Sequence, residues 1–162
     1  MRKFNAQTAI ATIELEQLVT DYFWDVDMTG GRDAPLYYTE DCIAEVGKLN
    51  FKGHDGVKKF YQDRLDSIHK TQKDGVRTSR HVVTGIQVIF ENEKRATVNF
   101  LVSTFAASGK PPLPDSTLVV AVSDSRFECR LDDDGHWRIM GFYGGPIFVG
   151  QEEFARKALG FA

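Results

Sequence analysis

Residues 95–106, Arg-Ala-Thr-Val-Asn-Phe-Leu-Val-Ser-Thr-Phe-Ala, decide the fold. Ala96, Val98, Phe100 and Val102 occupy every second position, with Thr97, Asn99 and Ser103 among the residues between and after them. This is the period of a strand with one buried face, because successive side chains of an extended chain point to opposite sides. Segments of the same kind, rich in Val, Ile, Phe and Thr, lie at 80–90, 117–131 and 137–148. Glu91-Asn92-Glu93-Lys94 and Asp132-Asp133-Asp134-Gly135 are tight polar turns, and 108–115 is a longer, proline-rich loop. Short connections place consecutive strands side by side, so the C-terminal half reads as an antiparallel meander.

Towards the N-terminus the period changes. Over 5–28, Ile10, Leu15, Leu18, Val19, Tyr22 and Val26 recur at helical spacing, and Thr29-Gly30-Gly31-Arg32-Asp33 ends that helix. Asp33-Ala34-Pro35 starts a short helical turn through Leu36, Tyr37 and Tyr38. Residues 42–46 and 49–51 form a hairpin around Gly47-Lys48. A second helix follows Gly53-His54-Asp55-Gly56, with Val57, Phe60, Tyr61, Leu65 and Ile68 on its apolar face. Residues 151–159 predict a short final helix that packs through Phe154 and Leu159. The expected fold is α+β, with helices closed over a cone-shaped, curved antiparallel sheet that encloses a hollow. One domain over 1–162 is expected.

The composition agrees with a globular domain. The chain has 162 residues, 42% hydrophobic and 27% charged, with a net charge of −3. No basic stripe is present, which argues against nucleic acid as a partner. No apolar run reaches the roughly 20 residues needed to span a bilayer, so no membrane partner is expected. Met1-Arg2-Lys3-Phe4-Asn5 is basic but has no apolar run behind it, so no signal peptide is read there and a cytoplasmic protein is expected. Cys42 and Cys129 belong to no CxxC pair and read as buried, reduced thiols. Twelve Phe, five Tyr and two Trp supply enough apolar volume for a core and for the lining of a cavity.

Common cofactor signatures are missing. There is no GxGxxG after a strand, no GxxxxGK[ST], no HExxH and no GxSxG. His54, His69, His81 and His136 lie far apart with no second ligand at metal spacing, and Asp132-Asp133-Asp134 reads as a solvated turn. No metal and no cofactor are expected. His81, by contrast, stands at the start of a strand in Thr78-Ser79-Arg80-His81-Val82-Val83, and Asp25 and Asp27 stand at the end of the first helix. A carboxylate is unfavourable at a helix C-terminus, so an acid there invites a partner. Paired with a carboxylate in an apolar hollow, an imidazole becomes more basic and takes one tautomer, as a general base requires.

The order of elements, Tyr22-x4-Asp27 closing the first helix, Thr78-Ser79-Arg80-His81 and Asp134-Gly135-His136-Trp137-Arg138-Ile139 together resemble the nuclear transport factor 2-like superfamily. Within it the chain is most similar to the SnoaL-like and scytalone dehydratase-like branch, over roughly residues 10–148. The resemblance implies a cone of curved sheet with three helices, the cystatin-like α+β barrel, commonly a homodimer. It selects Asp27 and His81 as catalytic residues, with His81 taking a proton from carbon and Asp27 orienting it. Tyr22 or Tyr38 would polarise a carbonyl or position a leaving hydroxyl. Phe23, Phe100, Phe105, Phe142 and Tyr143 are the candidates for an aromatic substrate-binding lining. Scytalone dehydratase carries a second pocket histidine on the next long strand, whereas residues 95–106 have none.

Three readings follow. The first is a cofactor-independent lyase or isomerase, dehydratase-like, acting on a small cyclic or polyketide-like substrate. The second is a protein that binds a small hydrophobic ligand without changing it. The third is an assembly partner like the β subunits of ring-hydroxylating dioxygenases, joined through outer-face residues such as Ile86, Val120 or Val122.

Overall fold

In the computed structural model, which describes residues 4–47, 49–114 and 118–161, the chain starts with a capped helix, α1 (Ala6–Met28). Asn5 caps it reciprocally: its side chain accepts from the Thr8 amide at 2.8 Å, and its own amide donates to Thr8 Oγ1 at 2.9 Å. Leu15, Leu18, Val19, Tyr22, Phe23 and Val26 form the buried stripe. Ile10 does not belong to it, being 59% exposed, whereas its neighbour Ala11 packs against the core.

A 3-10 turn at Ala34–Tyr37 leads into β1 (Tyr38–Val46), which forms a hairpin with β2 (Leu49–Lys52). Lys48 of the expected turn lies outside the described residues. Then come α2 (Gly53–Thr71), β3 (Arg77–Asn92), β4 (Arg95–Ser108), β5 (Val119–Leu131), β6 (Trp137–Val149) and α3 (Glu153–Leu159). Thr117, the expected start of the third long strand, and Asp115, the end of the proline-rich loop, also lie outside the described residues. Among the described residues no helix is long and apolar enough to cross a membrane.

The six strands form one curved, open sheet in the order β2-β1-β6-β5-β4-β3. β3 to β6 are the antiparallel meander, with partners such as His81↔Thr104 and Thr104↔Ala121. The sheet is not antiparallel throughout, because β1 runs parallel to β6 through Tyr38↔Ile139 and Ile43↔Gly141. β1 also starts four residues earlier than the sequence pattern suggests, since Tyr38 is a strand residue.

The alternation expected for residues 95–106 is present. Ala96, Val98, Phe100 and Val102 face the helices and are 5% exposed or less. They meet the α1 stripe around Phe127, which is fully buried against the rings of Tyr22, Phe100 and Phe142 at 4.8 to 5.4 Å between centroids. Cys42 and Cys129 are free and buried.

Gly31 positions the link between the two long helices. Its φ is +86°, and a Cβ there would lie 2.2 Å from the ring of Tyr61 on α2. Gly31→Ala combines an unfavourable left-handed backbone with an overpacked contact, so it should destabilise the fold by about 1–3 kcal/mol. A chemical-denaturation midpoint unchanged from wild type would contradict this.

Candidate active site

The last turn of α1 delivers two acids with different duties. Asp25 is buried and fastens the loop that leaves the helix: it accepts from the Thr29 hydroxyl, and from the Asp33 amide at 3.1 Å. Asp27, two residues on, reaches across to the start of β3. Its Oδ2 accepts the backbone N–H of His81 at 2.7 Å. Its Oδ1 takes the Ser79 hydroxyl at 2.9 Å and lies 2.7 Å from His81 Nδ1. The strand alternation makes this possible, since Ser79 and His81 are two residues apart and share a face.

Burial by itself would raise the Asp27 carboxyl. Hydrogen bonds and charge from His81, with help from Ser79, outweigh burial and hold the group below the ordinary aspartate value. An ionised carboxylate can only accept, so His81 Nδ1 carries a proton, and it is Nε2 that holds the lone pair whenever the ring is neutral. Among the described residues nothing hydrogen-bonds Nε2. The ring lies beside that of Phe23, at 5.2 Å, and its side chain is 15% exposed. An imidazole in this state can accept a proton, while its carboxylate fixes the tautomer and offsets the charge that develops.

His81 lines a cavity of about 200 Å³ between the inner sheet face and the helices. Phe23, Val26, Phe60, Val102 and Phe142 make most of the wall apolar. Tyr22 and Tyr61 supply hydroxyls. Their oxygens are 2.5 Å apart, and Tyr38 donates to Tyr22 at 3.2 Å from behind. Burial, together with the neighbouring phenols, pushes all three well above the usual tyrosine value, so they are neutral donors. Three hydroxyl protons serve two bonds within this cluster. One O–H, on Tyr22 or Tyr61, therefore remains for a ligand.

α3 completes the wall with Phe154, Ala155, Ala158 and Leu159. It is held by Arg77, whose guanidinium pairs with both Glu152 oxygens at 2.7 and 2.9 Å and lies 4.4 Å from the Phe154 ring centroid. Arg64, on α2, also lines the cavity.

The structure thus brings Asp27, His81, Tyr22, Phe23 and Phe142 together and corrects the other candidates. Tyr38 is fully buried behind Tyr22 and does not line the cavity; Tyr61 stands where it was expected. Phe100 is on the inner face but deeper, packed edge-on under Phe23 at 5.9 Å and not exposed to the cavity that His81 lines. Phe105 and Tyr143 fall on the outer sheet face, and Tyr143 stacks under the Arg126 guanidinium at 4.6 Å. Of the proposed outer-face residues, Val120 instead lines the cavity and Ile86 packs against the core.

Sequence reasoning missed Ser79, Tyr61, Arg64 and Arg77. The signal for Arg64 was available: Val57, Phe60, Tyr61, Arg64, Leu65 and Ile68 form one unbroken helical stripe with a single charge inside it. The other histidines are elsewhere, with His54 bound to the Tyr38 carbonyl at 2.9 Å. Asp132 and Asp134 pair with Arg130 and Arg138. Among the described residues no three His, Cys, Asp or Glu side chains converge as a metal site.

Comparison with solved structures places the fold. A candidate scytalone dehydratase from Novosphingobium aromaticivorans superimposes with a TM-score of 0.70 at 16% identity, covering 91% of each chain. A Mycobacterium tuberculosis protein of unknown function gives 0.73 at 14% identity, over 96% of this chain and 88% of that one. LinA gives 0.71 at 12% identity, over 91% and 92%. At such identities the likeness establishes the fold. A search of curated protein sequences gives no match. Residues 7–142, from the start of α1 to the middle of β6, match the SnoaL-like domain, and the chain belongs to that family.

Proposed function

We propose that this protein is a cofactor-independent lyase or isomerase of the dehydratase type, acting on a small cyclic or polyketide-like molecule held in the apolar cavity. One observation carries the reading: His81 has Nδ1 bound to Asp27 and, among the described residues, no partner on Nε2, in a largely apolar cavity. In the reaction, Nε2 takes a proton from an activated carbon. The C–H electron pair moves into the substrate, where it expels a β-hydroxyl or shifts a double bond. The imidazolium then returns its proton, to the departing oxygen in dehydration or to a different carbon in isomerisation. The free O–H of the tyrosine pair hydrogen-bonds the substrate carbonyl, whose oxygen gains charge as the proton leaves. The volume suits a molecule of one or two rings, since a cavity of about 150 Å³ takes up benzene.

The reading can be tested before the substrate is known. 5-Nitrobenzisoxazole opens when a base removes one carbon-bound proton, its N–O bond breaking to give a coloured phenolate. Wild type should accelerate this over buffer, and His81→Ala should lose about 10²-fold or more of that acceleration. Equal rates in the two proteins would discard proton abstraction and leave a cavity that binds its ligand unchanged. The same reading takes the protein as a homodimer joined through the outer sheet face, where Val82 and Phe148 are 47% and 68% exposed. Light scattering should give twice the chain mass.

A further inference from the structure

The cavity contains one charge that its own architecture leaves unanswered. Arg64 lies in the apolar stripe of α2, one turn beyond Tyr61 and one turn before Ile68. Its side chain lines the cavity with Tyr61, Tyr22 and His81. Among the described residues no carboxylate and no hydrogen-bond acceptor pairs with its guanidinium. The contrast with Arg77 is direct, because Arg77 lines the same cavity and is fully neutralised by Glu152 at 2.7 and 2.9 Å. Asp27 is not such a partner for Arg64: its two oxygens receive Ser79 and both His81 donors.

An arginine in such surroundings is costly. Burial and the charge of Arg77 both lower its proton affinity, while Tyr61, Tyr22 and the more distant Asp27 act the other way. Arg64 is half-buried, and a partly desolvated cation without an anion is a liability for the fold alone that becomes an asset once a ligand supplies the missing charge. The planar fork of a guanidinium matches a carboxylate with two parallel hydrogen bonds. Tyr61 precedes Arg64 by three residues, on the same helical face, so its hydroxyl or that of Tyr22 can bind the same group.

We propose that Arg64 binds a carboxylate of the substrate, so that the cavity selects a small cyclic acid over its neutral counterparts. This rests on the proposed function above and narrows its substrate class. A single unpaired guanidinium answers one negative charge, and the apolar remainder of the wall accepts the ring. With the carboxylate held by α2, the ring extends towards β3, where His81 takes the proton. Arg64 is then the group that fixes which carbon faces Nε2.

The test uses benzoate and benzamide, which share a ring and differ in charge, with binding to the intact protein followed by calorimetry. Benzoate should bind about 10-fold or more tightly than benzamide. In Arg64→Gln that preference should vanish while benzamide affinity stays the same, and Arg64→Lys should restore part of it. In wild type, benzoate should also shift the Arg64 Nε–H resonance, a readout that needs no variant. Equal affinities for the two probes in wild type, or a benzoate preference that survives in Arg64→Gln, would overturn the proposal. His81→Ala should still bind benzoate in preference to benzamide. The two readings therefore fail separately: ring opening of the neutral benzisoxazole reports on His81, and the benzoate preference reports on Arg64.

Discussion

Asp27→Asn should reduce the acceleration of benzisoxazole opening by about 10²- to 10⁴-fold while leaving the protein folded. The carboxylate receives three donors: the His81 amide, the Ser79 hydroxyl and His81 Nδ1–H. An asparagine offers one accepting oxygen and one donating nitrogen, so at least one of those donors would face another donor. The backbone amide of His81 cannot turn away, whereas the imidazole can change tautomer. We expect it to do so, placing the proton on Nε2, where it blocks proton abstraction. Long-range ¹H–¹⁵N spectra should show neutral His81 protonated at Nδ1 in wild type and at Nε2 in the variant. A variant that turns over within a few-fold of wild type would separate Asp27 from the chemistry.

The same substitution should flatten the acid limb of the stability curve. The folded Asp27 value lies below its unfolded value, so the folded state is favoured when the group is ionised. That contribution is fully present above about pH 4, the ordinary aspartate range, and is lost as the pH falls through the lower folded value. Wild type should therefore lose more stability than Asp27→Asn on acidification through this window.

The largest loss of stability should come from Phe127→Ala. Phe127 is fully buried and touches four rings: Tyr22, Phe100 and Phe142 edge-on at 4.8 to 5.4 Å, and Phe23 stacked at 6.4 Å. Removing it leaves a ring-sized void at the junction of α1 with β4, β5 and β6, and none of these elements can close on it without leaving the others. The expected cost is about 3–5 kcal/mol. For a chain of this size that lowers Tm by roughly 10 °C or more, measurable by circular dichroism. Phe23 and Phe142 would also lean into the void and away from His81, so activity should fall with stability. A change below about 1 kcal/mol would mean that the aromatic cluster is not the centre of the core.

Much of this arrangement could be read from the residues, for physical reasons that differ from place to place. The meander was legible because period two survives over long strands, as in Ala96 to Val102. An acid at a helix C-terminus and a histidine at the start of a buried strand are each out of place, which marked His81 and the Asp25/Asp27 pair of acids, and the family resemblance chose Asp27 between them. Pairing between distant segments left no local mark: nothing in Tyr38-Thr39 announces a parallel partner at Ile139. The errors in the lining have a simpler cause. Phe100 and Phe105 are an odd number of residues apart on one strand, and Phe142 and Tyr143 are adjacent, so neither pair can share a face. Arg64 escaped because α2 was read from its apolar residues alone, although its spacing places it inside the apolar stripe.

The cavity is shared between two kinds of wall. Asp27, Ser79 and His81 belong to α1 and β3, within residues 7–142 that match the family. Phe154, Ala158 and Leu159 belong to α3, which comes after that stretch and hangs on the Arg77–Glu152 pair and a small contact of Ala155 with Ala106 and Val120. Changes in the tail can therefore reshape the space offered to a substrate without disturbing the sheet or the dyad. In evolutionary terms α3 is a place where the shape of the cavity can change while the Asp27–His81 pair stays as it is.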